Sequence, residues 1–234
     1  MLSKLVFLEF TKLKRQSVWM LVLLGSLGIL AVPLANFLIR YDYIYDNYDG
    51  DLYAAMFTYI MSLMPAVLML AISIITSVIA NTEHAENTLK QLLSLPISKW
   101  RLYLAKLMVT MTLLFISSVL VFVGMFVMSQ LLNFEGNFPL LYALTLAFAP
   151  LLAALPITIL QLWLALNFKN QGIVLSVGVF FAVLVMFSDR LPNWLPLTWP
   201  TMQVPNPLVN ISLGLILGLI SYVITSIHFN KKDV

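Results

Sequence analysis

The feature that most constrains this chain is a succession of apolar stretches long enough to cross a lipid bilayer. They recur from near the N-terminus to near the C-terminus. A crossing helix needs about 20 apolar residues to traverse roughly 30 Å of hydrocarbon. Such stretches occupy residues 18–39, 54–80, 107–132, 140–166 and 208–229, and a shorter one occupies 172–187. Of the 234 residues, 61% are hydrophobic and 10% are charged. An ordinary soluble domain carries about a quarter charged residues. There is too little polar surface to cover such a core in water, so lipid is the fitting solvent. The remaining length is too short for a sizeable soluble domain. The sequence therefore predicts an all-α, polytopic membrane protein with six transmembrane helices in a single domain over 1–234.

Charge placement predicts the orientation, because short cytosolic loops are enriched in Lys and Arg. With six spans, one side receives Lys4, Lys12, Lys14, Arg15, Lys90, Lys99, Arg101, Lys106, Lys169, Lys231 and Lys232. The other side receives only Arg40 and Arg190, together with Asp42, Asp46, Asp49, Asp51, Glu135 and Asp189. Both termini are thus expected in the cytosol. A seven-span arrangement would divide the basic residues between the two sides. The first apolar run is too long for a cleavable signal core and no A-x-A follows it, so it reads as a span.

Residues 2–15 (LSKLVFLEFTKLKR) precede the first span and have helical periodicity. Leu2, Leu5, Val6, Phe7, Phe10 and Leu13 share one broad face; Lys4, Thr11, Lys12 and Arg15 share the other. Glu9 falls within the apolar arc. The segment reads either as an extension of the first span or as an amphipathic helix lying in the cytosolic interface. The acidic stretch DYIYDNYDGD reads as a solvated loop, because a calcium loop with Gly50 in sixth place would begin at Tyr45 and end at Met56.

The polar stretch 81–101 (NTEHAENTLKQLLSLPISKWR) is the most informative connection. Asn81 or Thr82 can cap a helix whose first turn then holds Glu83 and Glu86, where the helix dipole favours acids. Leu89, Leu92 and Leu93 form an apolar edge, Pro96 ends the helix, and Ser98 can cap the next. Two readings stand side by side: an amphipathic loop helix on the membrane surface, or a docking helix set into a groove of a partner. Further along, 188–206 interleaves Pro192, Pro196 and Pro200 with Trp194, Leu195, Leu197 and Trp199. That pattern suits an interfacial aromatic belt. It equally suits a re-entrant segment forming an outer gate, tolerated at membrane depth only against protein or a cavity. Gly214 and Gly218 form a G-x-x-x-G that permits close helix packing. Asn36, Gln161 and Asn210 are expected to make hydrogen bonds between helices.

Several chemistries lack their residues. None of the nine glycines is followed by Lys, so there is no phosphate-cradling P-loop. Cysteine is absent, and HExxH and G-x-S-x-G do not occur. No catalytic, cofactor or metal site and no nucleic-acid partner is expected. No charged residue lies deep in a span, which argues against an ion-coupled carrier.

The basic helix with EFTKLKR, the six spans, and ENTLKQLLSLPISKWRLYLAKL after the second span together resemble the permease subunits of type-2 ABC exporters. In that family a Glu-x-x-x-(Gly/Asn)-Thr-Leu…Leu-x-x-Pro-(Ile/Val)-Ser stretch forms the coupling helix. Glu83, Asn87, Thr88, Leu89, Leu92, Pro96, Ile97, Ser98 and Lys106 match it here, with Asn87 where Gly is common. The pattern is most similar to small permeases beside bacteriocin-immunity and peptide-toxin exporters. The resemblance implies a bacterial plasma-membrane protein with the type-2 exporter fold, not itself an enzyme. It implies a coupling helix over 82–95, and an outer gate rather than a simple belt at 188–206. It also implies a separate ABC ATPase that holds ATP and Mg, and a second permease chain, alike or different. The implied cargo is an amphipathic or antimicrobial peptide, a toxin or a lipid-like molecule. The competing expectations are a secondary carrier or channel, and a membrane-embedded assembly factor without an ATPase.

Overall fold

A computed structural model describes residues 2–14, 16–85, 98–202 and 206–230. Every regular element among them is helical. In chain order these are α1 (Leu2–Leu13), α2 (Val18–Ile39), α3 (Tyr41–Asn47), α4 (Leu52–Ala85), α5 (Lys99–Leu131), α6 (Leu140–Ala153), α7 (Leu155–Asn167), α8 (Gln171–Val185) and α9 (Pro207–Asn230). Two 3₁₀ turns, Ser188–Arg190 and Trp199–Thr201, lie between α8 and α9.

Four helices, α2, α4, α5 and α9, are long and apolar enough to cross a membrane, and the pair α6–α7 makes a fifth candidate if counted as one bent span. The stretch 140–166, expected as one span, is thus two helices meeting at 46°. The cause is local. Pro156 enters the first turn of α7, where its missing N–H costs least, and its ring cannot continue the preceding helix. The break falls at Ala154, whose N–H still donates to the Pro150 carbonyl at 2.9 Å. The fifth expected span is α8, whose 15 residues rise only about 22 Å at 1.5 Å each. The described structure therefore carries four or five candidate crossings rather than a demonstrated six.

Two other expectations change. The loop 40–51 contains a short helix, α3, whose Ile44 is buried in one core with Phe37 and Phe134 while Asp42 and Asp46 stay exposed. Asn81 and Thr82 do not cap a new helix. They continue α4, and the Thr82 hydroxyl donates back to the Ile79 carbonyl at 2.7 Å. Helix α4, at 34 residues, and α5, at 33, each rise about 50 Å, well beyond roughly 30 Å of hydrocarbon.

The bundle has two chemically distinct ends. At one, the end of α2 meets the start of α4 and the turn after α5 through Phe37, Tyr59, Tyr53 and Phe134, with ring centroids 5.2–6.5 Å apart. This acidic end also carries α3. At the other, the start of α5 meets the end of α9 through Tyr103, Tyr222 and Phe229. This basic end carries α1. Between them run cores built from α2, α4, α5, α6, α7 and α8. The outer faces of α2 and α9 stay apolar and exposed, as at Leu27, Leu38, Ile216 and Leu219, which only lipid or another apolar surface can cover.

Several intramembrane polar groups bond between helices, although among the described residues the buried Gln161 Oε1 and Ser77 Oγ accept no hydrogen bond. Ser26 of α2 pairs with Ser117 of α5 at 2.9 Å. Gln161 of α7 donates to the Ser73 hydroxyl of α4 at 2.9 Å and to the Val174 carbonyl of α8 at 2.8 Å. Gly178 of α8 lets that knot close, because a Cβ there would lie 2.0 Å from Ser73 Oγ. Asn36, by contrast, donates within its own helix to Val32, and Asn210 of α9 reaches the Met202 sulfur at 3.6 Å.

Candidate functional site

The basic end concentrates the unusual electrostatics. Leu5, Glu9 and Leu13 recur every four residues on α1 and are all buried. Helix α1 packs along the start of α5 through this face. Val6 and Phe10 flank it, while Phe7 and Leu8 point outward at 72% and 55% exposure. The apolar arc expected from the sequence is therefore rotated: Glu9, which looked misplaced, sits at its centre. The reason is Lys106, which is 0% exposed yet carries an ammonium. A buried charge needs a hydrogen-bonded counter-charge. Glu9 Oε2 accepts from Lys106 Nζ at 2.8 Å, and Glu9 Oε1 accepts from Lys12 Nζ at 3.0 Å. Burial pushes the Glu9 carboxyl up, but the attraction and hydrogen bonds of Lys106, then Lys12, outweigh it and hold it below 4.5.

The expected docking segment begins at the same end. Glu83 lies on the last turn of α4. Glu86, Asn87, Thr88, Leu89, Leu92, Leu93 and Pro96 lie outside the described residues. Ser98 takes up the N-cap position of α5 with extended backbone but makes no side-chain capping bond.

The expected gate residues divide. Leu197 and Trp199 are buried, Leu195 is half-buried, and Trp194 is 74% exposed. The segment is folded in rather than looped out. Leu197 packs in the same core as Leu68, Leu151 and Val185. The Trp199 indole N–H donates to the Asn193 carbonyl at 3.0 Å, and the Thr198 hydroxyl donates to the Leu195 carbonyl at 2.9 Å. Two cavities adjoin the segment. One, of about 220 Å³, lies among Met61, Met64, Pro65, Tyr142, Pro150 and Pro200. The other, of about 320 Å³, lies among Thr58, Ser62, Tyr142, Ser188, Asp189 and Thr201. A third, of about 280 Å³ and mostly apolar, opens among α2, α4 and α5 near Leu21, Met64 and Ser117.

The G-x-x-x-G residues face the α6–α7 break. A Cβ on Gly214 would meet Ala153 Cα at 2.6 Å and the Leu152 carbonyl at 2.7 Å, and one on Gly218 would meet the Leu155 side chain at 2.6 Å.

Long apolar helices, a broken helix pair and a basic end that gathers α1 with the ends of the two longest helices define a multi-pass membrane protein. Comparison with known families gives the class: residues 5–188 match the family described as ABC-2 family transporter protein. The chain belongs to that family and is a membrane component of an ABC transporter, whose membership implies an ABC ATPase partner. No curated protein and no solved structure matches it.

Sequence reasoning missed the Glu9–Lys106 pair as a pair. The signal was present as two misfits of opposite sign: an acid inside an apolar arc, and a lysine at the threshold of a span.

Proposed function

We propose that this chain is one membrane half of an ATP-driven exporter. In this reading α2, α4, α5, the bent α6–α7 pair, α8 and α9 make six crossings, with both termini in the cytosol of a bacterial plasma membrane. The basic end is the cytosolic end in this reading, supported by the Lys and Arg distribution. A separate ABC ATPase, holding ATP and Mg, docks on Glu83, Glu86, Asn87, Thr88, Leu89, Leu92, Leu93 and Pro96. A second permease chain, alike or different, completes the path. The single observation that carries the reading is the family match over 5–188 in a chain that lacks a P-loop. The lengths of α4 and α5 support it, because these helices end at Ala85 and begin at Lys99, so a partner gripping 83–96 would hold both by their ends.

The folded-in segment then forms the outer gate, with Leu195, Leu197 and Trp199 turned inward and Trp194 at its rim. The cavities beneath it mix thioethers, proline rings and hydroxyls. Such a lining suits an amphipathic peptide, toxin or lipid-like cargo better than a small ion, since methionine adapts to irregular apolar shapes.

The test is substitution of the docking helix. Glu86→Lys and Leu92→Asp are expected to abolish stimulation of the co-purifying ATPase while leaving membrane insertion intact. Stimulation and transport at wild-type levels in both variants would refute the docking assignment. Purification without any nucleotide-binding protein would refute the exporter reading and favour a carrier or channel.

A further inference from the structure

Helix α5 begins at Lys99, directly after the segment proposed to dock the ATPase, and Lys106 lies two turns along it. Glu9 reaches that lysine across 97 positions of sequence. The carboxylate is shared: one oxygen belongs to α5 through Lys106 and the other is steadied by Lys12 on α1 itself. Leu5 and Leu13 lie one turn to either side on the same buried face. The ionic contact and the apolar contact therefore coincide on one strip. In a bilayer, lipid competes with protein for apolar faces, so apolar packing alone holds two helices in register weakly. A buried, hydrogen-bonded charge pair is directional and tolerates little sliding, because separating it strands an ammonium with no water.

We infer that Glu9 and Lys106 form a transmission joint that makes α1 travel with the start of α5, so that displacement of residues 83–96 reaches α1 and its outward Phe7 and Leu8. The inference rests on the exporter reading above. Glu9 and Lys106 are positioning residues in it: neither touches cargo or nucleotide. The joint delivers motion from the ATPase to a helix whose outer face meets its surroundings through Lys4, Phe7, Leu8, Thr11 and Lys14.

The experiment uses the full chain in lipid vesicles with the ABC ATPase that co-purifies with it. ATP turnover with and without the permease is compared for the wild type, Glu9→Gln, Lys106→Met, the exchange Glu9→Lys with Lys106→Glu, and the apolar pair Glu9→Leu with Lys106→Met. Each single change leaves one buried partner uncompensated and is expected to lower the permease-dependent turnover about tenfold or more. The exchange restores the directional pair and is expected to recover turnover; the apolar pair restores burial without the pair and is expected to keep α1 folded yet leave turnover low, which separates the joint from simple misfolding. The chain has no cysteine, so spin labels can be placed at Leu8→Cys, Met108→Cys and Ile224→Cys without a background. In the intact joint, the Leu8–Met108 distance stays fixed between nucleotide-free and nucleotide-trapped states while both sites move relative to Ile224. In Glu9→Gln the Leu8–Met108 distribution broadens.

Wild-type protein that neither binds an ABC ATPase nor raises its turnover would overturn the exporter reading, and the joint with it. Wild-type stimulation with single variants equally active would overturn the joint alone. So would single variants that lose activity while the exchange does not recover it, an apolar pair as active as the wild type, or a Leu8–Met108 distance that changes during the wild-type cycle.

Discussion

Replacing Gly178 by alanine should damage this protein far more than its one added methyl suggests. The new Cβ would lie 2.0 Å from Ser73 Oγ and 2.1 Å from Ser73 Cβ, and 3.0 Å from Gln161 Nε2. Ordinary contact begins near 3.4 Å, so α8 must retreat from α4 by more than an ångström or Ser73 must be displaced. Ser73 has little freedom, because Gln161 donates to it and it donates to the Val174 carbonyl at 3.3 Å. Overpacking of this kind costs about 1–3 kcal/mol. Loss of one or two interhelical hydrogen bonds adds roughly 0.6 kcal/mol each in a membrane setting. The expected destabilisation is therefore about 2–4 kcal/mol, despite the ~0.5–1 kcal/mol that Gly→Ala ordinarily contributes inside a helix. The control is Gly28→Ala, where nothing lies within 4 Å of the added Cβ. Equilibrium unfolding in detergent, followed by loss of helical circular dichroism, compares the two. A second control, Gly178→Ala with Ser73→Gly, removes the colliding atoms and should recover much of the loss. Gly178→Ala indistinguishable from Gly28→Ala would refute the claim that this knot closes α4, α7 and α8 on one another.

Gly214→Val should destabilise α9 packing by about 2–4 kcal/mol on the same overpacking ground, since its neighbours are backbone atoms that cannot rotate away; chymotryptic release of the C-terminal helix in detergent measures it. Gln161→Leu should cost about 0.6–1.7 kcal/mol by removing the bridge from α7 to α4 and α8, read as a lower unfolding midpoint. The Glu9 carboxyl is held below 4.5 by Lys106 and Lys12 against the opposing effect of burial. Its folded value lies below its unfolded one, so its contribution is complete above about pH 5 and is lost as pH falls through the lower folded value. A fluorophore at Leu8→Cys should report α1 docking that is flat between about pH 5 and 8 and loosens only at more acidic pH; loosening near neutrality would contradict it.

Much of this architecture was readable in advance because lipid imposes a blunt rule on sequence. The cores of the crossings follow from apolar length alone, and α2 spans the expected 18–39. The ends of α4 and α5 were less legible. Hydropathy locates the oily part of a helix, whereas backbone hydrogen bonding carries the helix on through Asn81, Thr82 and Lys99 into polar sequence. The bend at Ala154 was half legible: Pro150 and Pro156 were visible, but Pro150 is accommodated within α6 and only Pro156 marks the break. Ile44 in a loop of tyrosines and aspartates gave no warning that it would be buried. The rotation of α1 escaped for a deeper reason. A one-helix periodicity cannot see the partner that makes an acidic residue belong inside, and that partner stands 97 positions away.

The glycine seat at the α6–α7 break also limits which movements α9 can make. Gly214 rests on Leu152 and Ala153, and Gly218 on Leu155. Sliding α9 along its axis by one, two or three residues would drive a side chain into exposed backbone. Even a jump of four residues, about 6 Å, which brings Gly218 over the place Gly214 leaves, would set Tyr222 against Leu155. The seat works as a detent: α9 can tilt about it but cannot creep. In the exporter reading, a displacement entering from the basic end would then carry α6, α7 and α9 as one pivoting body, with sliding confined to interfaces that lack such a catch.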